Sequence, residues 1–527
     1  MLLAAFRRIM FSQDLVAELL SKYSITKQRI VIDFSSPNIA KTFHMGHLRS
    51  TCYGDFMQRI FRHAGHEVVS LNYLGDWGHQ FGLLTVYWME VMDGMDGRMA
   101  RPMADEWAAM SARKRVQLLT DAYVAANRLK LTNSAFDQKA RQLQLNMERH
   151  MISTGAATVD DVNLAQIQTD DKLREAFGLW RDFRDSSVAY LEDFYARFGT
   201  KFDRWDAESY HVVEGARLTD EMIQSGLCRL TRDELWAVCQ PEVGLGREKI
   251  TLRKGDGLNL YMNRDLASIY ARHRLYNADK YFYLVDYGQT NHFNQLRLLL
   301  RVRGDDDLAD RMEHVSFGRI IGLSTRNGKN DSVDFLIDQG AREADAYVHA
   351  SPTMRAEPAE LGTICRRLAE STLLFEIVFR HRNSHFTFSF RNSFRPGGTN
   401  ALLLHEKFSR LCSLEHAHHE HMERIRALNA DGEWKLNMEM REPGQKLARR
   451  IQEFDTVVLT AMKKMDPNPV AIYLLKLCNE IGTAMAALRV QDETIAVALP
   501  RLMLFSAAKK VLGEGMRLLG IEPIERM

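Results

Sequence analysis

The amino-acid sequence predicts an α/β protein: an open parallel sheet carrying a helical insertion, followed by an all-α domain. Three observations predict it. A strand, a polar loop, a helix and a second strand follow one another over residues 29–71, the unit that opens a doubly wound sheet. Strand-type segments return at residues 280–285 and 314–323. From about residue 356 to the end, apolar residues recur at helical spacing.

Residues 1–28 form an N-terminal segment opening MLLAAFRRIMFS, with Arg7 and Arg8 among apolar residues and Asp14 as the first acid. This is the composition of a mitochondrial presequence, and equally that of an amphipathic first helix running on to residue 22. Residues 29–34, RIVIDF, are β-branched and apolar and predict a buried strand that ends in the polar SSPN. Leu48, Cys52, Phe56, Ile60 and Phe61 predict a helix, and Gly65 stops it. A second strand follows at 67–71. Residues from about 88 to 200 lack strand signals, and 117–129 and 182–198 carry helical periodicity; the stretch reads as a helical insertion between the halves of the sheet. The sheet domain spans 29–355 and the helical domain 356–527, with Pro443-Gly444 and Pro467-Asn468-Pro469 breaking helices in the latter.

With 527 residues, 46% hydrophobic and 26% charged, the chain is an ordinary globular protein of two to four domains. No stretch holds the ~20 uninterrupted apolar residues of a spanning helix, so no membrane partner is expected. Seventy basic against 68 acidic residues leave +2, so any nucleic-acid footprint must be local. The six cysteines form no CxxC pair, which excludes a disulfide framework and a structural zinc site and suits a reducing compartment. His416, His418, His419 and His421 cluster without evident partner ligands, and a solvated helix face explains them.

The chemistry concentrates in residues 37–47, PNIAKTFHMGH, between the first strand and its helix. Open α/β sheets bind ligands there, and a helix N-terminus offers free N–H groups to phosphate. Gly46 permits close backbone approach, His44 and His47 add two donors, and Lys41 adds a mobile cation.

SSPNIAKTFHMGHLRST followed by NYLGDWGHQFG closely resembles the arginyl-tRNA synthetases, class I enzymes with a Rossmann catalytic domain and a helical anticodon-binding domain. The resemblance continues through FDRWDAESY, LNLYMNRDLA, VDYGQTNHF and HVSFGRIIGLSTRNGK, and ends with VLGEGMRLLGIEPIERM, so it spans about residue 30 to 527. It implies an arginine–tRNA ligase that joins arginine to AMP at the expense of ATP and passes the arginyl group to the 3′ end of tRNA(Arg). It also implies Mg²⁺ with ATP, no structural metal, a monomer, and translation in the mitochondrial matrix, with the cytoplasm as alternative. Carried over residue by residue, His44, His47 and Lys41 act on the phosphates. Gly46, Ser324 and Arg326 complete the ATP site. Asp33, Ser36, Asn38, Glu208, Tyr261, Asp265 and Gln289 hold arginine, and Met527 lies near the anticodon. These residue types fit: carboxylates accept a guanidinium bidentately, and polar groups left unpaired by a wrong side chain give selectivity. Tyr261 and Asp265 are four residues apart and share one helix face. An ion pair between Asp265 and neighbouring Arg264 is the competing reading.

The departures are informative. Asp33 stands where the family generally has Glu. GLSTRNGK, residues 322–329, is a degenerate form of the KMSK signature, for which Lys41 compensates. His405-Glu406 replace a usual Gln-Tyr pair, and a tyrosine expected near Met485 is absent. Only about 30 residues precede the first strand, too few for the family's additional N-terminal domain, which leads to the expectation of a substrate tRNA with a reduced D-arm. The substituted anticodon positions also leave open a catalytically inactive paralogue that only binds tRNA.

Overall fold

The computed structural model describes the chain apart from residues 1, 93–99, 231–236, 240–249, 256, 322–331, 351–356, 389–399 and 428–440, with backbone only at 230 and 237–239. The first helix, α1 (Leu2–Phe11), buries Leu3 and Phe6 and exposes Arg8. It does not run on to residue 22. The chain breaks at Ser12, and Asp14 caps a separate helix, Leu15–Leu20, by accepting the Ala17 amide at 2.9 Å.

Five parallel strands form the central sheet: β1 (Arg29–Asp33), β2 (Glu67–Leu74), β3 (Arg204–Ala207), β4 (Lys280–Tyr283) and β5 (Met312–His314), in the order β3-β2-β1-β4-β5. Ile30 pairs with Val68 on one side and Lys280 on the other. β1 is covered on both faces: Ile30 and Ile32 enter one apolar cluster and Val31 the other. That is why its sequence is an unbroken apolar run. The winding reverses between β1 and β4, and their carboxyl ends open the crevice where such sheets bind ligands.

The helix that follows β1 is α2 (Met45–His63). Gly54 lets it approach the sheet, because a Cβ there would lie 2.0 Å from the Phe34 ring. The helical insertion contains α3 (Ala112–Thr132) and α4 (Asp171–Arg197) and lies between β2 and β3. It therefore interrupts the first half of the sheet and does not separate the halves. β3 escapes a sequence reading because its four residues, RWDA, hold a single buried position and no apolar run.

The crossover between halves carries a three-stranded antiparallel sheet (Cys228–Leu230, Ala237–Cys239, Ile250–Arg253) and α5 (Tyr261–Tyr276). Residues 314–323 are not one strand. β5 ends at His314, and Ile320–Ile321 pair in parallel with Phe386–Thr387. That small pairing interrupts the otherwise helical second half.

Next come α6 (Val333–Ala350) and, towards the C-terminus, α7 (Asn468–Ala487) and α8 (Ile495–Leu518). By length and composition α7 could cross a membrane. Here it is a core helix, with Val470, Leu474, Leu477 and Ile481 buried. α1 packs against α8, which joins the two ends of the chain. Cys52, Cys365, Cys412 and Cys478 are free thiols.

Candidate active site

After β1 the chain runs through a tight loop in which Ser35, Ser36 and Ala40 have positive φ (68°, 44° and 58°), a costly conformation held only where surrounding structure imposes it. The insertion imposes it here. Ser187 Oγ accepts the Ala40 amide at 2.9 Å, Thr120 Oγ1 accepts the Thr42 amide at 2.9 Å, and Tyr190 OH accepts the Phe43 amide at 3.2 Å.

His44 is the N-cap of α2. Its Nδ1 accepts the amides of Gly46 (3.1 Å) and His47 (3.3 Å), while the His44 amide donates to His47 Nδ1 at 3.5 Å. The two rings stack, 3.6 Å between centroids. With both Nδ1 atoms accepting, each neutral ring carries its proton on Nε2. Burial, reinforced by the Lys41 charge, lowers His44 to about 4. Burial, then His44 and Lys41, lower His47 well below the usual histidine range. Two neutral N–H donors thus sit at a helix N-terminus. Glycine at position 46 suits the fold-back of His44, whose Cε1 would lie a tight 3.0 Å from an added Cβ. The Lys41 ammonium is 3.4 Å from Gln80 Oε1 and 4.4 Å from the Tyr123 ring centroid.

Beside this loop, at the carboxyl ends of β1 and β4, lies a cavity of about 650 Å³. Asp33, Ser36, Asn38, Glu208, Tyr261, Asp265 and Gln289 all line it. His44, His47, Gly46 and Lys41 do not, but Gln80 lines the cavity and also meets Lys41, so the two places adjoin. Tyr261 and Asp265 reach the cavity together from the first turns of α5. Asn38 leans over Gly75, where a Cβ would lie 2.0 Å from its Oδ1.

The cavity acids are not equally free. Glu208 accepts Arg264 Nη2 at 2.9 Å. Arg272 Nη1 is 2.8 Å from Asp33 and its Nη2 3.2 Å from Asp206. Ser36 Oγ donates to the other Asp33 oxygen at 2.6 Å. Both oxygens of Asp33 thus have partners within the protein. Arg264 turns to Glu208 and not to its neighbour Asp265, whose partner is His292 at 2.8 Å. Asp265 is thus the cavity-lining acid among Asp33, Glu208 and Asp265 that has no arginine partner among the described residues.

Arg272 and His292 were not singled out from the sequence, although each lies within or next to a recognised motif, and Arg264 was named only as a possible partner of Asp265. Asp76 was missed likewise: buried under the Glu208 turn, it accepts the Ser209 amide (2.9 Å) and hydroxyl (2.7 Å), and burial raises it to about 7.

Ser324 and Arg326 lie outside the described residues. Met527 is buried beside a second cavity, of about 720 Å³, lined also by His416, His419, Arg426 and Lys509. His405 is fully buried, and its Nδ1 accepts the Ile524 amide at 3.3 Å, so it holds the C-terminal tail. Among the described residues no group of His, Cys, Asp and Glu could hold a metal ion.

Comparison with known proteins agrees with this geometry. The family profile described as tRNA synthetases class I (R), catalytic domain, matches residues 11–390, and that of the DALR anticodon binding domain matches residues 404–527. The probable mitochondrial arginine–tRNA ligase of Mus musculus is 30% identical over 517 residues, covering 95% of this chain and 79% of that protein. The probable cytoplasmic arginine–tRNA ligase of Dictyostelium discoideum is 28% identical over 533 residues, covering 99% and 86%. In fold, the chain is similar to the Thermus thermophilus arginyl-tRNA synthetase, with a TM-score of 0.71 at 19% identity over 97% of this chain and 86% of that one. With the catalytic-domain profile matching more than half of its length and the anticodon-binding profile most of the remainder, this chain belongs to the arginyl-tRNA synthetase family of class I.

Proposed function

We propose that the protein is an arginine–tRNA ligase, and the observation that carries this reading is the state of Asp265. In a cavity whose other acids are neutralised by internal arginines, Asp265 keeps a carboxylate for an external cation. A guanidinium is planar and matches a carboxylate through two parallel N–H bonds. Tyr261, Asn38 and Gln289 line the same cavity and supply the polar contacts that a lysine side chain would leave unpaired.

In the first step the arginine carboxylate attacks the α-phosphorus of ATP, and pyrophosphate leaves. Charge accumulates on the phosphoryl oxygens in the transition state. The Nε2–H groups of His44 and His47, whose Nδ1 atoms are held by amides at the start of α2, are the donors for that charge. Lys41 stands next to them as the cation for the outer phosphates. Mg²⁺ supplies countercharge when it accompanies ATP. In the second step a hydroxyl at the 3′ end of tRNA(Arg) attacks the arginyl carbonyl and AMP leaves. Action as a monomer is part of the proposal, as the family resemblance implies. The acid-free composition of α1 and the mitochondrial relative support a role in mitochondrial translation, while the packing of α1 into the fold and the cytoplasmic relative support the cytoplasm as the alternative.

The test is arginine-dependent ATP–pyrophosphate exchange with and without tRNA(Arg), followed by charging with labelled arginine. Arginine-stimulated exchange and charging are expected. Binding of tRNA with neither activity would replace this reading by that of a non-catalytic paralogue.

A further inference from the structure

The helical insertion touches the phosphate loop through three hydroxyls, and one of them leads elsewhere. Ser187 and Thr120 accept loop amides and donate onward to carbonyls of their own helices, Phe183 O at 2.6 Å and Val116 O at 2.7 Å. Tyr190 accepts the Phe43 amide, immediately before His44, and donates instead to Asp334 Oδ2 at 2.6 Å. Asp334 sits in the first turn of α6, which follows the GLSTRNGK stretch. Its other oxygen accepts Arg197 Nη2 at 2.7 Å. Tyr190 and Arg197 both belong to α4, and the Asp334 side chain is only 4% exposed. The backbone adds a direct tie, because Val333 N donates to Phe43 O at 2.9 Å and His44 bridges Ser332.

We infer that Tyr190, Asp334 and Arg197 are positioning residues that lock the HxGH loop to the start of α6, so that the insertion and α6 together fix where His44 stands. The physical grounds are burial and number of bonds. A buried carboxylate pinned by a phenol and a guanidinium is costly to break, since either partner's loss leaves an unpaired buried charge or donor. Phe43 is held from both sides: its N–H by Tyr190, its C=O by Val333. His44 cannot shift without disturbing both bonds. A displacement of about 1 Å between reacting groups costs on the order of 10²-fold in rate, so a linkage fixing this position has a catalytic consequence although none of its members touches substrate.

The inference rests on the ligase reading for its kinetic arm only. The experiment compares Tyr190→Phe and Asp334→Asn with wild type and with Asp338→Asn. Asp338 pairs with Arg113 at 2.9 Å across the same two elements, insertion and α6, but at the surface. Arginine-dependent ATP–pyrophosphate exchange is measured with tRNA present. Turnover should fall roughly 10- to 100-fold in Tyr190→Phe and Asp334→Asn, with the arginine KM within twofold, when both are assayed well below their lowered melting temperatures, where they remain folded. Asp338→Asn should match wild type. Amide hydrogen exchange is followed on the same proteins. Residues 40–44 and 332–336 should exchange faster together in both buried variants and unchanged in Asp338→Asn. Exchange at 40–44 that ignores Asp334→Asn, or rate losses that merely track melting temperature or appear equally in Asp338→Asn, would overturn the inference. A wild-type protein without arginine-dependent exchange would instead sink the ligase reading, and the hydrogen-exchange arm would still decide on the linkage.

Discussion

The capping of α2 by His44 ties together chemistry that a sequence motif only labels. Two accepted amides occupy Nδ1, the proton is confined to Nε2, and burial keeps the ring neutral down to about pH 4. Replacing His44 or His47 with Ala removes one preorganised donor, which costs roughly 2.7–4 kcal/mol or about 10²–10³-fold in adenylate formation. Exchange assays should show this loss in turnover with little change in the arginine KM. Asp265→Asn should show the opposite split. It removes a charge-assisted partner worth roughly 1.5–3 kcal/mol, so arginine binding should weaken about 10- to 100-fold while ATP binding stays put. Equal arginine affinity in the Asn variant, read by titration calorimetry, would move the guanidinium site elsewhere.

His405 provides a second residue-scale test, through pH. Burial holds it at about 3 against an ordinary value of 6.5. Between these values the unfolded chain binds a proton that the folded chain refuses, so stability is lost as pH falls from 6.5 towards 3. In His405→Gln the side-chain oxygen can still accept the Ile524 amide but has no proton to take up. Urea unfolding should therefore show a shallower acid slope than wild type, by about 1.4 kcal/mol per pH unit below 6.5. Parallel slopes would mean that His405 protonates freely in the native state.

Among the elements, the spacing of β1 and β2 decides where Asn38 stands. The loop after β1 exchanges backbone bonds with the turn after β2: Gly75 N to Pro37 O at 3.1 Å and Ile39 N to Gly75 O at 3.2 Å. This lays Asn38 directly over Gly75. In Gly75→Ala the new methyl group occupies the space of the Asn38 amide, which must swing out of the cavity. Loss of one hydrogen bond to arginine is worth about 0.5–1.5 kcal/mol, and the arginine KM should rise up to about tenfold with the ATP KM unchanged. An unchanged arginine KM would remove Asn38 from the substrate contacts.

Across the whole molecule, the ends of the chain close on each other. α1 lays Phe6, fully buried, against α8, which also carries buried Leu502, Phe505 and Leu512. Lys22 meets Asp455 at 3.1 Å and His63 meets Asp14 at 2.9 Å. The N-terminal helices therefore bridge the sheet domain and the C-terminal helices. Phe6→Ala opens a cavity in that junction and should cost roughly 3–5 kcal/mol of stability, visible as a lowered urea midpoint. A midpoint equal to wild type would show that α1 adds nothing to the fold.

The seven residues that share one cavity came from the family resemblance; the sequence by itself determined the sheet's opening unit, the helical second half and the position of the phosphate loop. Each of these is local: a β-branched run buried on both faces, a 3.6-residue period, or a motif whose members lie within a few residues of each other. The tertiary structure alone decided how the charges divide. Asp33, Asp206 and Glu208 meet Arg272 and Arg264 across 56 to 239 positions of chain, and no spacing rule couples residues so far apart. The same holds for β3, too short and too polar to signal a strand, and for Asp334, whose partners are 137 and 144 positions away. Local periodicity reports which face of an element is buried, while the identity of a buried charge's partner depends on how distant elements pack.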